Sequence, residues 1–402
     1  MMIPKGWKKK NVGCLFDVQL GKMLSEKAKT GKQYPYLANF NVRWGSFDFS
    51  KTKEMSFSAR ERKKYTLQHG DLLMCEGGEI GRCAIWRGYD KEIYYQKALH
   101  RIRPLSDECS NDYLYIFMQF IASQGKLTRL VGETSIAHLT REKLLGLPII
   151  LPSPQVQKAI AEILSIWDLA IEKTELLIQA KERQFKWIMT SYINHNEKLD
   201  WQTMKLRDVC SGIKQKNSDG ETNVLTSSAK RGLVSQLDYY KKSVSGKNLD
   251  GYYLIKHGHF AYNRSSSNGY PFGAIKRLDL CDQGVLSTLY LCFSLNSNDE
   301  CNSDFLVNIF ESGILNCQLR RICQEGARSH GLLNVTKHDF FDLDLLLPPL
   351  SEQKRIAKTL KMAQQEIDLL KTLANKYKYQ KRGLMQKLLM GTWRVPNKHK
   401  EV

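Results

Sequence analysis

Along residues 356–388, apolar side chains return every three or four positions: Ile356, Leu360, Ala363, Ile367, Leu370, Ala374, Tyr377, Lys381, Leu384 and Leu388, with Lys381 the one charged member. The same cadence runs earlier through Ile160, Leu164, Trp167, Ile171, Thr174, Ile178, Lys181, Phe185 and Ile188. A mean step of 3.5 sustained over four heptads predicts a coiled-coil seam rather than a short core-facing helix. At ~1.5 Å per residue, about 40 residues make a rod of roughly 60 Å, longer than a small domain is wide.

These two stretches belong to a duplication. Residues 147–164 read LPIILPSPQVQKAIAEIL and residues 343–360 read LDLLLPPLSEQKRIAKTL. Pro152 matches Pro348, Gln157 matches Gln353 and Leu164 matches Leu360, always 196 residues apart, a whole number of heptads. His138-Leu139-Thr140 faces Asn334-Val335-Thr336 in the same register. Trp7 pairs with Trp201, Gly70–Leu73 with Gly258–Ala261, and Ala84-Ile85 with Ala274-Ile275. Each tail opens on an apolar, strand-like run ending in proline, Ile149–Pro152 and Leu345–Pro349, where a ladder stops and a helix can start. Ser351 is the expected N-cap of the second helix, with Glu352 and Gln353 in its first turn.

Between the tails, short apolar runs alternate with turns rich in Gly, Asn and Ser. Strands are expected at Leu72–Met74, Cys83–Trp86, Leu99–Ile102, Phe260–Asn263, Ala274-Ile275 and Leu289–Phe293. Helices are expected from Asn111-Asp112 and from Asn302, each opened by an Asn/Asp cap. Strands in a run, without βαβ alternation, place the chain in the α+β class with mainly antiparallel or mixed sheets. The expected architecture is a pseudo-twofold tandem repeat: two globular mixed α/β domains held apart by a long antiparallel two-helix coiled coil. Its segments are residues 1–152, a first helix at 153–198, residues 199–348, and a second helix with tail at 349–402. Antiparallel packing would bring Ile160 beside Leu388.

Charge adds a partner. With 61 Lys+Arg against 41 Asp+Glu, the 402 residues carry +20, which favours a polyanion; a membrane surface and mere solubility are the alternatives. No stretch approaches the roughly 20 apolar residues of a membrane span, and the N-terminus has no signal-peptide core. Ten scattered cysteines without a Cys-x-x-Cys pair fit reduced thiols, so the cytoplasm is the expected compartment. Basic, amide and aromatic residues interleave in both domains. The candidates for contacting nucleic acid are Arg43, Trp44, Arg82, Arg87, Gln96 and Lys97, then Lys241, Lys242, Asn263, Arg264 and Ser265. Each cluster alone reads more readily as solvated surface; recurrence in both copies raises the DNA reading. On the first helix, Ile163, Ala170 and Leu177 widen the apolar face beyond what one partner helix needs, which fits either helices from another subunit or the chain's own globular domains.

Chemistry of its own is not expected. There is no Asn-Pro-Pro-aromatic or Asp-Pro-Pro-Tyr segment for amino-group methylation, because Pro348-Pro349 follows Leu347. No phosphate-binding Gly-x-x-x-x-Gly-Lys-Ser/Thr loop occurs. His257 and His259 read as a fortuitous pair rather than a metal site, and Glu76-Gly77-Gly78-Glu79 lacks a base or lysine partner. No catalytic residue, cofactor or metal is therefore expected.

The duplicated segment Leu345–Ala357, its degenerate copy at Leu147–Ala161, and the tail Gly383–Gly391 resemble type I restriction–modification specificity subunits. Looser likenesses to that family's recognition domains lie at Gly70–Leu73 with Gly81-Arg82, and at 132–139. The resemblance covers nearly the whole chain. It departs at Ser153-Pro154-Gln155-Val156-Gln157, which lacks the acid that Glu352 supplies before Gln353. It implies that each globular domain reads one half of a bipartite, asymmetric double-stranded DNA target, with the helices setting the gap. It also implies partners: two methyltransferase subunits docked through helices, and nuclease–translocase subunits joining that complex, where the deoxyribonuclease and adenine methyltransferase activities reside. The alternatives are a non-enzymatic coiled-coil adaptor with a basic surface, and a nuclease acting alone. Salt separates the DNA reader from the adaptor, since only the reader loses affinity steeply with salt yet still prefers one sequence.

Overall fold

The computed structural model describes residues 3–26, 30–88, 92–131, 138–193, 200–218, 220–228, 231–241, 248–297, 300–325 and 333–395. The chain divides into two compact units, Met1–Glu175 with Thr372–Val402, and Leu176–Lys371. In the first unit, β1 (Phe16–Leu20), β2 (Leu72–Cys75), β3 (Cys83–Ile85) and β4 (Leu99–Pro104) form an antiparallel sheet in the order β1-β4-β2-β3. Helix α1 (Asn111–Ser123) buries Tyr113, Leu114, Phe117 and Phe120 in the core beneath it. The strand Pro148–Leu151 returns to pair with Lys8–Asn11, Lys8 opposite Leu151, and the chain then enters α2 (Pro154–Ile193).

The second unit repeats this frame. Strands β5 (Cys210–Gly212), β6 (Phe260–Asn263), β7 (Ala274–Arg277) and β8 (Tyr290–Leu295) stand in the equivalent order β5-β8-β6-β7. Helix α3 (Ser303–Ser312) buries Phe305, Leu306, Ile309 and Phe310. Asp344–Leu347 pairs with Gln202–Lys205, Gln202 opposite Leu347, ahead of α4 (Leu350–Leu389). The repeated Trp-then-strand and strand-then-proline signals are thus the two partners of one small ladder in each copy.

Each seam is buried or half-buried at every position its periodicity names. Within the first unit, Ile160 and Leu164 of α2 share one apolar cluster with Met385, Leu388 and Leu389 of α4. Trp167 meets Tyr377 edge to face with ring centroids 5.8 Å apart, and Lys378 pairs with Glu175 at 2.7 Å. Earlier residues of α2 meet later residues of α4, so the two segments run antiparallel there. In the second unit, Ile356, Ala357 and Leu360 of α4 share a cluster with Ile193 of α2, flanked by Phe185 and Ile188. The charged seam member Lys381 is buried, and its ammonium reaches Asp168 at 2.5 Å and the Gln119 amide oxygen at 3.0 Å. A lone ammonium in that seam would be costly; the carboxylate and amide satisfy it.

The repeated glutamine ties each helix to its domain. Gln157 donates from Nε2 to the carbonyls of Glu108 (2.9 Å) and Pro152 (3.0 Å). Gln353 donates to Glu300 (2.9 Å) and Pro348 (2.8 Å), and its Oε1 accepts from the Asn302 amide at 2.8 Å. Both side chains are buried. Two caps differ from the sequence reading. Ser110, not Asn111, caps α1 by accepting from Tyr113 N at 3.2 Å. Asn111 instead donates to the carbonyls of Gly70 and Ile102, closing the sheet onto the helix. Helix α4 begins at Leu350, because Pro349 O already accepts from Glu352 N (2.9 Å) and Gln353 N (3.0 Å); Ser351 therefore sits inside the first turn.

Candidate nucleic-acid interface

Where the frames agree, both units leave the sheet between its first and second strands, and there they diverge. The first unit's excursion carries the antiparallel pair Gln33–Leu37 and Lys53–Ser56, with Tyr94–Tyr95 added in parallel, then a helix at Ala59–Tyr65. Its own core is aromatic: Tyr34, Tyr36, Phe57, Tyr65, Tyr94 and Tyr95. A capping box starts the helix, Ser58 Oγ accepting from Glu61 N at 3.3 Å and Glu61 Oε2 from Ser58 N at 2.8 Å. Lys22 holds that end down through Glu61 (2.8 Å) and Ser56 O (2.6 Å). Burial alone would raise the Glu61 carboxyl, but Lys22 and Ser58 outweigh it and hold it below its ordinary range. Arg60, Lys63 and Lys64 point to solvent.

The second unit's excursion is a hairpin, Leu225–Ser228 against Gly232–Ser235, leading into a helix at Gln236–Tyr240. Its core is mostly aliphatic, with Leu225, Leu233, Ile255 and Leu286. None of the five helical residues is buried. Tyr239 and Tyr240 are 44% and 46% exposed, and their rings pack edge to face on each other at 4.8 Å. Lys241 ends that helix in the left-handed region, φ 55°, the one non-glycine with positive φ among the described residues.

The candidate side chains fall into two kinds. Several are engaged by their own unit. Arg82 donates to Asn39 O at 2.8 Å and pairs with Glu79 at 3.2 Å; Glu79 also accepts from the Trp44 indole at 2.6 Å. Arg43 pairs with Asp48 (3.2 Å) and Arg87 with Asp112 (2.6 Å), both on the surface. Arg264 donates to the carbonyls of Leu289 (2.9 Å) and Val335 (3.3 Å), and Asn263 Oδ1 accepts from Ser265 N at 3.2 Å. Others stay outward. Gln96 is half-buried and Lys97 exposed on a segment whose backbone amides bind Leu37 O and Lys22 O. Gly21 lets that segment approach: a Cβ there would lie 2.4 Å from the Tyr95 and Gln96 carbonyls. Lys241 is exposed, and Lys242 lies outside the described residues, as do residues 132–137 of the looser family likeness.

The type I restriction modification DNA specificity domain family matches this chain twice, over residues 4–182 and 198–378. The chain belongs to that family. The type I restriction enzyme MjaVIII specificity subunit of Methanocaldococcus jannaschii is 24% identical over 99% of this chain and 95% of its own. In fold, the chain resembles the type I restriction–modification S subunit from M. genitalium, with TM-score 0.56 and 16% identity over 95% of this chain and 96% of that one. It also resembles a chain solved in a study of type I R-M complex assembly, with TM-score 0.59 and 14% identity over 98% and 100%. This type I specificity subunit thus combines two family domains with two long helices.

On α2 of the specificity subunit, Ile163 packs against the first unit's core and Ala170 is half-buried, while Leu177 is exposed. In the same stretch Ile166 is 67% exposed and Leu169 53%. They lie on the face opposite the seam, part of a turn away from the positions that periodicity alone picks out. His259 serves the backbone, its Nδ1 accepting from Lys256 N at 3.0 Å, as Asp71 Oδ2 accepts from Gln68 N at 2.7 Å in the matching turn. Burial, with Lys256 nearby, keeps that imidazole below its ordinary pKa and suited to accept. Among the described residues no group of three or more His, Cys, Asp or Glu is placed to hold a metal, and no helix is long and apolar enough to cross a membrane. The sequence reading passed over a cationic cluster around Tyr253, whose members are too far apart in the chain to form a motif.

Proposed function

We propose that this specificity subunit reads a bipartite, asymmetric double-stranded DNA target, one half with residues 1–152 and the other with residues 199–348. The observation that carries this reading is the shared sheet frame bearing two unrelated excursions. A common frame gives both domains one way to dock, and different excursions give each its own bases. Within the first domain the reading surface is the helix with Arg60, Lys63 and Lys64 together with Gln96 and Lys97. Within the second it is the segment Tyr239–Lys241 and its continuation through Lys242. Exposed tyrosines beside a strained lysine favour this, since strain and unburied aromatics are retained where they contact a ligand. Arg43 and Arg87, held by surface carboxylates, are available to exchange those partners for phosphates; Arg82 and Arg264 position the turns that flank the site.

The long helices set the gap between half-sites and dock methyltransferase subunits through exposed apolar positions of α2, Leu177 among them. Nuclease–translocase subunits join through that assembly, and the methylation and cleavage chemistry belongs to those partners, in the cytoplasm. Exchanging residues 1–150 for those of a relative, followed by mapping methylated adenines in the host genome, tests the division of labour. One half of the methylated target should change and the other persist. A change in both halves would refute the assignment of one half to each domain.

A further inference from the structure

The second unit holds a group of cations that none of the foregoing roles uses. Lys216 Nζ lies 3.5 Å from the centroid of the Tyr253 ring and donates to Gly251 O at 2.9 Å. Lys337 Nζ stands 3.5 Å from the Tyr253 hydroxyl and 5.7 Å from the same centroid. Tyr253 and Lys337 line a cavity of about 310 Å³ to which Arg207, Lys214 and His338 add their polar ends, over a floor that includes Cys292 and Phe341.

What sets this place apart is the missing counter-charge. Other lysines in concave surroundings have carboxylates: Lys276 meets Glu311 at 2.5 Å, Lys381 meets Asp168 at 2.5 Å, and Lys22 meets Glu61 at 2.8 Å. Around Tyr253, Asp342 takes Arg207 at 2.6 Å and Asp339 lies 3.7 Å from His338. Among the described residues, no carboxylate lies within 4.0 Å of Lys214, Lys216 or Lys337. Two ammoniums share one aromatic ring, whose face attracts a cation but neutralises none. Both also bear on Cys292, whose thiol burial pushes up to about 12 while these two lysines work against the shift. A concave site with uncompensated positive charge is matched by an anion with several acceptor oxygens.

We propose that this cavity seats a phosphodiester of the DNA backbone, held by Lys214 and Lys337, with Lys216 on the Tyr253 ring adding its charge. The proposal rests on the DNA-reading function above. It also explains the placement. Lys337 opens the short helix Lys337–Phe341 of the shared frame, and Lys214 stands two residues past β5, where the frame gives way to the excursion. Contacts to phosphates fix register on the duplex and carry no sequence information directly.

The test uses the full-length chain and the exposed pair Lys214→Ala/Lys337→Ala, with far-UV circular dichroism and thermal midpoint confirming an unaltered fold. Duplexes carrying the methylated target or random sequence are titrated between 50 and 200 mM salt. Losing the contact to this one phosphate should flatten the slope of log K against log salt by about 0.9. Affinity should fall by the same factor for both duplexes, leaving their ratio unchanged, and Lys214→Arg/Lys337→Arg should restore the slope. A variant with wild-type slope, or one that loses only its preference for the target, overturns the phosphate seat while leaving the DNA-reading function standing. A wild-type chain whose affinity does not depend on salt overturns both. Inorganic phosphate at millimolar concentration should leave the thermal midpoint unmoved; stabilisation by it that duplex does not reproduce would mark a small-anion site and overturn the proposal.

Discussion

Replacing Gln353 with alanine is expected to loosen α4 from the second unit. The side chain is 1% exposed, and its amide serves three backbone groups: the carbonyls of Glu300 and Pro348 and the Asn302 amide. Alanine removes all three bonds and leaves a hole the size of the amide. At roughly 1 kcal/mol for each bond lost in a buried setting, the unit should lose about 3 kcal/mol. For a unit of this size that lowers its thermal midpoint by roughly 6–12 °C. Gln157→Ala is the internal control. Its Nε2 makes two bonds but its buried Oε1 has no partner, so the loss in the first unit should be nearer 2 kcal/mol. Gln353→Glu should be at least as damaging as alanine at neutral pH, because a carboxylate cannot donate to the two carbonyls, and should partly recover as acid protonates it. Urea unfolding followed by tryptophan fluorescence, analysed for two transitions, reads each value. A Gln353→Ala loss below 1 kcal/mol, or one smaller than that of Gln157→Ala, would refute the reasoning.

Lys381→Ala should cost about 2–3 kcal/mol by leaving Asp168 without its partner, whereas Lys381→Met with Asp168→Leu should come within about 1 kcal/mol of wild type; calorimetry of the three proteins checks the pattern. His100 is buried and its Nε2 donates to Leu139 O at 2.8 Å, while burial, opposed by that bond, holds its pKa below the ordinary value. The unfolded chain therefore takes up a proton first as pH falls through about 6.5, so stability present above that pH should decline as pH falls below it, and His100→Asn should flatten that part of the profile. Gly21→Ala should lower the first unit's stability by on the order of 2–4 kcal/mol, since its Cβ would sit 2.4 Å from two carbonyls; a variant as stable as wild type in thermal unfolding would show that the Gln96–Lys97 segment can yield.

The helices and their antiparallel contacts were legible because a seam announces itself by period alone. Strands of the frame were legible for a related reason: buried runs bounded by turns leave a local signature, and Phe260–Asn263 falls where the residues place it. What lay beyond sequence reasoning is pairwise. Nothing near Lys381 in the chain foretells Asp168 or Gln119, and nothing in Gln353 foretells the carbonyl of Glu300. The surroundings of the candidate DNA-contacting side chains are pairwise in the same way. Nothing near Arg82 in the chain foretells Asn39 O, and nothing beside Trp44 foretells the Glu79 carboxylate that accepts from its indole. Conversely, Lys216 and Lys337 converge on Tyr253 from segments that share no motif.

The first unit borrows its last apolar wall, Met385, Leu388 and Leu389, from the end of the chain. During synthesis at roughly 5–20 residues per second, the interval between residues 175 and 372 lasts roughly 10–40 s. For that time Ile160 and Leu164 wait beside an open groove. A ribosome that stalls late, or a message cut short within α4, would release a chain whose second unit lacks little but whose first unit is unsealed. Damage at the 3′ end of the message would then appear at the other end of the protein, as aggregation through the first domain.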